Sequence, residues 1–347
     1  MTKTVLLCGY YGEHNLGDDA LLASLLGQMP SALTPLVTAY DGAAVASRHG
    51  VSTVQRRSPK QVLAALSRSD ALVFGGGSLL QDSTSFQSLL YYAALIGAAR
   101  LQGKPVLLWA QGLGPLRRRR SRALVRALLP LITAITWRDP ESAALAERLG
   151  RADHYGADAV WALPREQWLG RGGPIVICWR PTDLLQGQGW SPYLQALADL
   201  ADAESREVLW VPFHRDQDQH LLADLIDQGL IPSALAQRSR QVTPATPQEA
   251  MAVFRSAGLV IAMRLHALIL AALSGAPVAA LSYDPKVRAC ADQLGCSCVD
   301  LASTTCSAAA LHQLWSQALD QPPPSGRISA LVASTNLHHQ LLARLLP

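Results

Sequence analysis

Short apolar runs alternate with longer helix-like segments along this chain, and that alternation limits its possible folds more than any other feature. The runs at residues 5–8 (VLLC), 71–74 (ALVF) and 106–110 (VLLWA) are apolar at every position, not at every second one. Such runs suit strands buried on both faces, as in parallel sheets whose crossover helices cover them. In the first half, strands are predicted at 5–8, 36–39, 71–74, 106–110 and 132–137. A helix at 18–26 begins with an aspartate placed to cap it, and one at 88–101 stops before Gly103, with Lys104 and Pro105 following. The second half repeats the pattern: strand 175–179, helix 193–204, strand 207–212, helices 216–228 and 247–257, strand 259–262, helix 265–274 and strand 278–282. The expected class is α/β, with two Rossmann-like domains built on parallel sheets.

Length supports two domains, since 347 residues with 49% hydrophobic content exceed one ordinary core. The polar, Gly- and Pro-rich segment at 163–174 (LPREQWLGRGGP) reads as the linker between a first domain at 1–165 and a second at 172–325. After DQPPPSGR, residues 326–347 read as one terminal helix. The apolar run near the start is about four residues, too short for a signal peptide, and no run approaches the roughly 18 of a membrane span. A cytoplasmic protein is expected, at most peripheral to a membrane. The six cysteines fit reduced thiols better than a disulfide framework. Cys296 and Cys298, one residue apart with no matching pair, make a poor zinc signal, and no metal is expected. The net charge of +4 is uneven, because RRRRSRALVR, from Arg117 to Arg126, holds six arginines.

Ligands of open parallel sheets sit beyond the carboxyl ends of the strands. Three glycine-bearing loops meet that condition in the first half: GYYGEHNLGDDALL with Asn15 and Gly17, FGGGSLLQDSTS with Gly76, Gly77 and Ser78, and AQGLGPL with Gln111. Any one of them alone is a tight turn. Three at equivalent places suggest backbone N–H groups turned toward an anion or a sugar. None carries the Lys-Ser or Lys-Thr of a Walker loop or the dinucleotide G-x-G-x-x-G spacing.

The stretch VIAMRLHALILAALSGAPVAALSYDPKV is the most informative of the chain. Arg264 and His266 follow one predicted strand, and Asp284 and Lys286 follow the next. Lysine is scarce here, with four among 30 basic residues. Arg, His and Lys at adjacent strand ends suit a small, multiply charged anion. A histidine at a helix start more often bonds a backbone carbonyl, and the flanking Arg264 and Lys286 tilt His266 toward function. In WRDPES, Arg138 and Asp139 read equally as a site or as an ion pair capping the next helix. His14, His154, His214, His338 and His339 show no defensible pattern.

In order, GYYG with NLGDDALL, GGGSLLQDSTS with a downstream YY, QGLGPL, WRDPES, MRLHALI and SYDPKV resemble the polysaccharide pyruvyl transferase family, and within it the CsaB-like enzymes. The resemblance spans residues 9–287. It implies a GT-B-like fold whose two sheets face an interdomain cleft, with the acceptor on the first domain's side and phosphoenolpyruvate on the second's. It implies a pyruvyl ketal on a cell-wall or surface polysaccharide sugar, commonly N-acetylmannosamine at its 4- and 6-hydroxyls. The family's Arg-Leu-His motif falls on Arg264 and His266, its later lysine on Lys286, and the arginine before the first domain's last helix on Arg138. Phosphoenolpyruvate is a substrate, so no cofactor is implied. Relatives often read Gly-Asn-x-Gly-Asp-Glu where this chain has His14 before Asn15 and Asp19 after Asp18, a departure that bears on acceptor fit.

In the implied reaction, His266 is the candidate general acid toward the donor's methylene carbon, while Arg264, Lys286 and Arg138 hold its phosphate and carboxylate. Asp18 is the candidate base, with helix capping as its other reading and Asp82 and Asp284 as rivals. Asn15, Gly17, Gly76, Gly77, Ser78 and Gln111 are the expected acceptor or anion contacts. The run from Arg117 to Arg126 reads either as a helix lying on an anionic membrane, where a lipid-linked acceptor would be presented, or as a solvated face. Two rivals remain. A GT-B glycosyltransferase using a nucleotide-sugar would need a ribose-binding acid such as Glu249. A nucleic-acid-binding protein would need aromatics among its arginines, and the run has none.

Overall fold

The computed structural model describes residues 2–83, 85–303 and 306–345. It contains two compact α/β units: Met1–Glu13, Asp18–Leu163 and Leu331–Pro347 form the first, and His14–Gly17 with Pro164–Ala330 form the second.

In the first unit the strands are β1 (Lys3–Tyr11), β2 (Leu33–Ala39), β3 (Ser52–Gln55), β4 (Ala71–Gly75), β5 (Val106–Gln111) and β6 (Ala134–Trp137). They form one parallel sheet in the order β3-β2-β1-β4-β5-β6. β4 and β5 are buried along their full length, which explains their unbroken apolar sequence. Leu6, Phe74 and Leu108 from the sheet pack with Val62, Leu66, Leu89 and Ile96 from covering helices.

The second unit holds β7 (Ile175–Cys178), β8 (Val208–Trp210), β9 (Ser239–Gln241), β10 (Leu259–Ala262), β11 (Val278–Ser282) and β12 (Ser297–Asp300). Their order, β12-β11-β10-β7-β8-β9, repeats the winding of the first sheet. In each sheet the first and fourth strands in chain order are neighbours. Strand order reverses there, and the loops beyond that pair open a crevice for ligands. The helix Leu265–Leu273 is buried from Ala267 onward, as an all-apolar helix must be.

Three strands escape sequence reading: β3 (STVQ), β9 (SRQ) and β12 (SCVD). All lie at sheet edges, where one side has no neighbour and a continuous apolar run is not required. The predicted helix 216–228 is two pieces, Arg215–Asp218 and Leu221–Asp227. Asp218 turns its carboxylate back onto the N–H groups of Phe213 and His214, at the start of the first piece.

The Gly- and Pro-rich segment after Leu163 is a strap bound to the second unit. Glu166 N–H donates to Leu273 O, Leu169 N–H to Arg255 O, and the Trp168 indole to Ala257 O at 2.8 Å. The terminal segment forms two helices, Ser325–Ser334 and Asn336–Ala343, with the Thr335 hydroxyl turned back to Val332 O. From Leu331 it belongs to the first unit. His338 is fully buried there, its Nε2 at 2.8 Å from Ala157 O and its Nδ1 at 2.9 Å from the Thr136 hydroxyl. Both contacts are met by a neutral ring that donates from Nε2 and accepts at Nδ1, and burial pushes its pKa below the ordinary 6.5. Among the described residues, no helix is long and apolar enough to cross a membrane.

Candidate active site

In the second unit, three strand ends carry the candidate residues. β10 delivers Arg264 and His266, its neighbour β11 delivers Lys286, and β7 on the other side delivers Arg180. Arg264 occupies the N-cap position of the helix Leu265–Leu273, yet makes no capping bond. Its guanidinium turns to Asp218: Nε donates to Oδ2 at 3.1 Å and Nη2 to Oδ1, while Nη2 also meets Gln217 Oε1 at 3.0 Å. The Asp218 side chain is wholly buried, and its Oδ2 also accepts from Phe213 N at 3.1 Å and His214 N at 2.8 Å. A buried carboxylate held by two backbone amides fixes the arginine's fork before any ligand arrives.

His214 completes this layer. Burial first, and Arg264 second, push its imidazole below the ordinary value. Lys286 lies in the first turn of the helix Pro285–Leu294, its N–H donated to the capping Asp284 at 2.9 Å. Asp284 therefore works as a cap. Arg180 donates to the Tyr283 hydroxyl at 3.1 Å.

Residues His14–Gly17 join this unit through short antiparallel pairing. Leu16 N–H donates to Phe213 O at 3.0 Å, Arg215 N–H to His14 O at 2.9 Å, and Asn15 bridges His214. Asn15 Oδ1 accepts from Gly17 N at 3.0 Å. A Cβ on Gly17 would stand 2.2 Å from His266 Nδ1, so the histidine ring is seated on this glycine and no larger residue fits. The structure thus brings together Asn15, Gly17, Arg264 and His266, with Lys286 on the adjoining strand end.

The first unit holds the remaining candidates. The sequence suggested a helix that begins at Asp18. The helix starts two residues earlier, spanning Leu16–Gln28, because Asn15 supplies the side-chain bond at its start. Asp18 lies in the first turn, its Oδ1 about 4.0 Å from the place a Cβ on Gly77 would take. Gly76 and Gly77 have φ of 72° and 73°, which only glycine adopts freely. Gln111 is fully buried and donates its amide to Phe74 O at 3.3 Å and to Gly76 O, so it shapes the glycine loop from beneath. Arg138 is buried too, with Nη1 on Asp158 at 3.0 Å and Nη2 on the Ser78 hydroxyl at 3.0 Å. Asp139 caps the helix Pro140–Arg148. Burial pushes the Asp82 carboxyl up, but hydrogen bonds from the Arg117 and Arg118 amides outweigh it and hold it below the usual range. Of the carboxylates considered as bases, Asp284 caps its helix and Asp82 accepts from the Arg117 and Arg118 amides.

Against known families, the model for polysaccharide pyruvyl transferases matches residues 15–285. The chain belongs to this family. It is accordingly an enzyme that transfers pyruvate onto a polysaccharide. No curated protein matches it significantly. Among solved structures, a UDP-GlcNAc 2-epimerase from Neisseria meningitidis is 12% identical with a TM-score of 0.60, over 98% of this chain and 100% of that one. The glycotransferase of kitacinnamycin gives 13% and 0.61, with all of both chains covered. MurG of Acinetobacter baumannii gives 13% and 0.52, over 99% and 100%. At these identities the likeness concerns fold alone, and it places the pyruvyl transferase in the GT-B-like α/β class.

Sequence reading missed Asp218, Asp158, Arg180 and His214. For Arg180 a signal existed: it stands just after the predicted strand 175–179, as Arg264 stands after its own. The two aspartates carried none, being 46 and 20 residues from the arginines they hold.

Proposed function

We propose that this pyruvyl transferase takes pyruvate from phosphoenolpyruvate and fixes it as a 4,6-ketal on a sugar of a cell-wall or surface polysaccharide precursor, N-acetylmannosamine being the expected acceptor. The observation that carries the reading is the seating of Arg264 on Asp218 and of His266 on Gly17, with Lys286 on the next strand end. Arg264 and Lys286 are assigned to the donor's phosphate and carboxylate, with Arg138, of the first unit, as a further candidate contact. His266 gives a proton to the methylene carbon, and positive charge develops at C2. One sugar hydroxyl adds to C2 and loses its proton to a base, for which Asp18 is proposed. The C2–O bond to phosphate then breaks, and phosphate leaves with that electron pair. A second hydroxyl adds to C2 and loses its proton to His266, which closes the ring and restores the acid, while the proton on Asp18 passes to solvent. No cofactor enters this scheme. Asn15, Gly17, Gly76, Gly77 and Ser78 are proposed to shape the acceptor and anion loops, with Gln111 acting from beneath.

The acceptor is proposed to be lipid-linked, met at the cytoplasmic face of a membrane that the arginine run contacts. The nucleotide-sugar reading depends on Glu249, and that carboxylate is engaged elsewhere. It accepts from Ala245 N at 2.8 Å while its own N–H donates to the Thr246 hydroxyl at 3.1 Å, a capping-box arrangement. Phosphate release from phosphoenolpyruvate, measured against a panel of nitrophenyl- and lipid-linked sugars and beside UDP-sugar controls, tests the proposal. Turnover with phosphoenolpyruvate is expected. Turnover confined to UDP-sugars overturns it.

A further inference from the structure

The helix Arg119–Leu128 buries Ser121, Val125 and Leu128 and turns its other faces outward. Arg119, Arg122 and Arg126 fall three and four residues apart, which stacks them on one stripe. That stripe lines a groove of about 580 Å³, and a fourth arginine, Arg148, enters it from the end of the helix Pro140–Arg148. The floor between them is aliphatic, formed by Leu116, Leu145 and Leu149. Two of the arginines are tethered: Arg122 Nη1 to Leu116 O at 3.3 Å, and Arg126 Nη2 to Arg148 O at 3.4 Å. None of the four forms an ion pair with a carboxylate among the described residues. The neighbours in the run are differently disposed. Arg120 lies 4.0 Å over the Phe86 ring, and Arg117 and Arg118 present their backbone amides to Asp82.

Four uncompensated guanidiniums around an aliphatic floor match a ligand with phosphate at one end and hydrocarbon at the other. We propose that Arg119, Arg122, Arg126 and Arg148 form a seat for the phosphate headgroups of anionic membrane phospholipids. This rests on the membrane-facing reading above and deepens it, replacing a diffuse basic run with a defined groove completed by a residue outside the run. A nucleic acid fits less well, because no aromatic side chain lines the groove to stack a base.

The test compares two triple variants that remove equal charge from one segment, Arg119→Gln/Arg122→Gln/Arg126→Gln and Arg117→Gln/Arg118→Gln/Arg120→Gln. Each is assayed for sedimentation with phosphatidylcholine vesicles with and without phosphatidylglycerol. The groove triple is expected to lose at least about tenfold in binding to the anionic vesicles, the other triple far less, and Arg148→Gln alone about fivefold. Equal losses from both triples would mean a diffuse charge and overturn the seat, as would an oligonucleotide outcompeting the vesicles for the groove. Phosphate release with a water-soluble acceptor is expected to be unchanged in both triples, and its loss in the groove triple would assign those arginines to the reaction instead. A wild-type protein that binds anionic vesicles but releases no phosphate would sink the proposed reaction and leave the groove standing.

Discussion

Arg138 and Arg264 each follow the carboxyl end of a parallel strand, and each meets a buried aspartate, yet the two pairs are built for different ends. Asp158 shares itself between Arg138 and the N–H of Val160, and Arg138 adds the Ser78 hydroxyl, leaving 6% of its side chain exposed. Asp218 is held by two backbone amides and is wholly buried, while Arg264 keeps 13% of its side chain exposed beside His266. In the first unit the ion pair ties a serine, and with it the glycine loop, to the sheet. In the second it aims an arginine and leaves one side of it accessible. An arginine's charge alone therefore says less about its part in the proposed site than the anchoring of its counter-ion does.

The widest separation between the pairs is expected from removing the aspartates. Asp218→Ala leaves Arg264 buried without its partner and should cost about 3–5 kcal/mol in chemical denaturation. Asp158→Ala should fall at or below the lower end of that range, since Arg138 keeps the Asp139 carboxylate at 3.6 Å, whereas Arg264 is left with the neutral Gln217 amide. Equal losses would erase the distinction.

A second contrast lies in the glycines. Gly17→Ala has no room beside His266 and should lower kcat by about a hundredfold while KM for phosphoenolpyruvate moves little. Gly77→Ala meets no atom nearer than 3.9 Å but needs positive φ, so it should cost about 1–2 kcal/mol of stability. Steady-state kinetics beside thermal unfolding would separate the two.

The smallest signature concerns protons. Burial holds His338 below its ordinary 6.5, so the unfolded chain takes up that proton first as pH falls. The stability it confers is whole above pH 6.5 and is lost as pH drops below that value toward the folded pKa. His214, lowered in the same direction, adds to the slope. A His338→Gln variant should show a flatter decline of Tm below pH 6.5 than the parent, and an unchanged slope would count against the neutral ring.

Most of the sheet architecture was legible because a strand covered on both faces must be apolar throughout, and such runs as VLLWA and IVIC say so without context. Edge strands such as SRQ are free of that demand and carry no mark. The same divide runs through the site. Arg264, His266 and Lys286 announce themselves by type and by standing just after apolar strands. Asp218 sits in an ordinary polar helix, FHRDQDQH, and only the folded chain shows that it turns back on its own loop. Residues 14–17, read with the first domain, group with the second unit. Their attachment is backbone pairing to a loop 200 residues away, which leaves side-chain identity almost unconstrained.

The return of Leu331 and its successors to the first unit sets the order in which a nascent chain can finish folding. Trp109 donates its indole N–H to His338 O at 3.1 Å, and Thr136 reaches the same histidine's ring. Both partners leave the ribosome some 200 residues before the histidine that completes them. During synthesis the first sheet must wait, with Trp109 and Thr136 uncovered, until the second unit has been made, which leaves that interval the most open to chaperone binding and proteolysis.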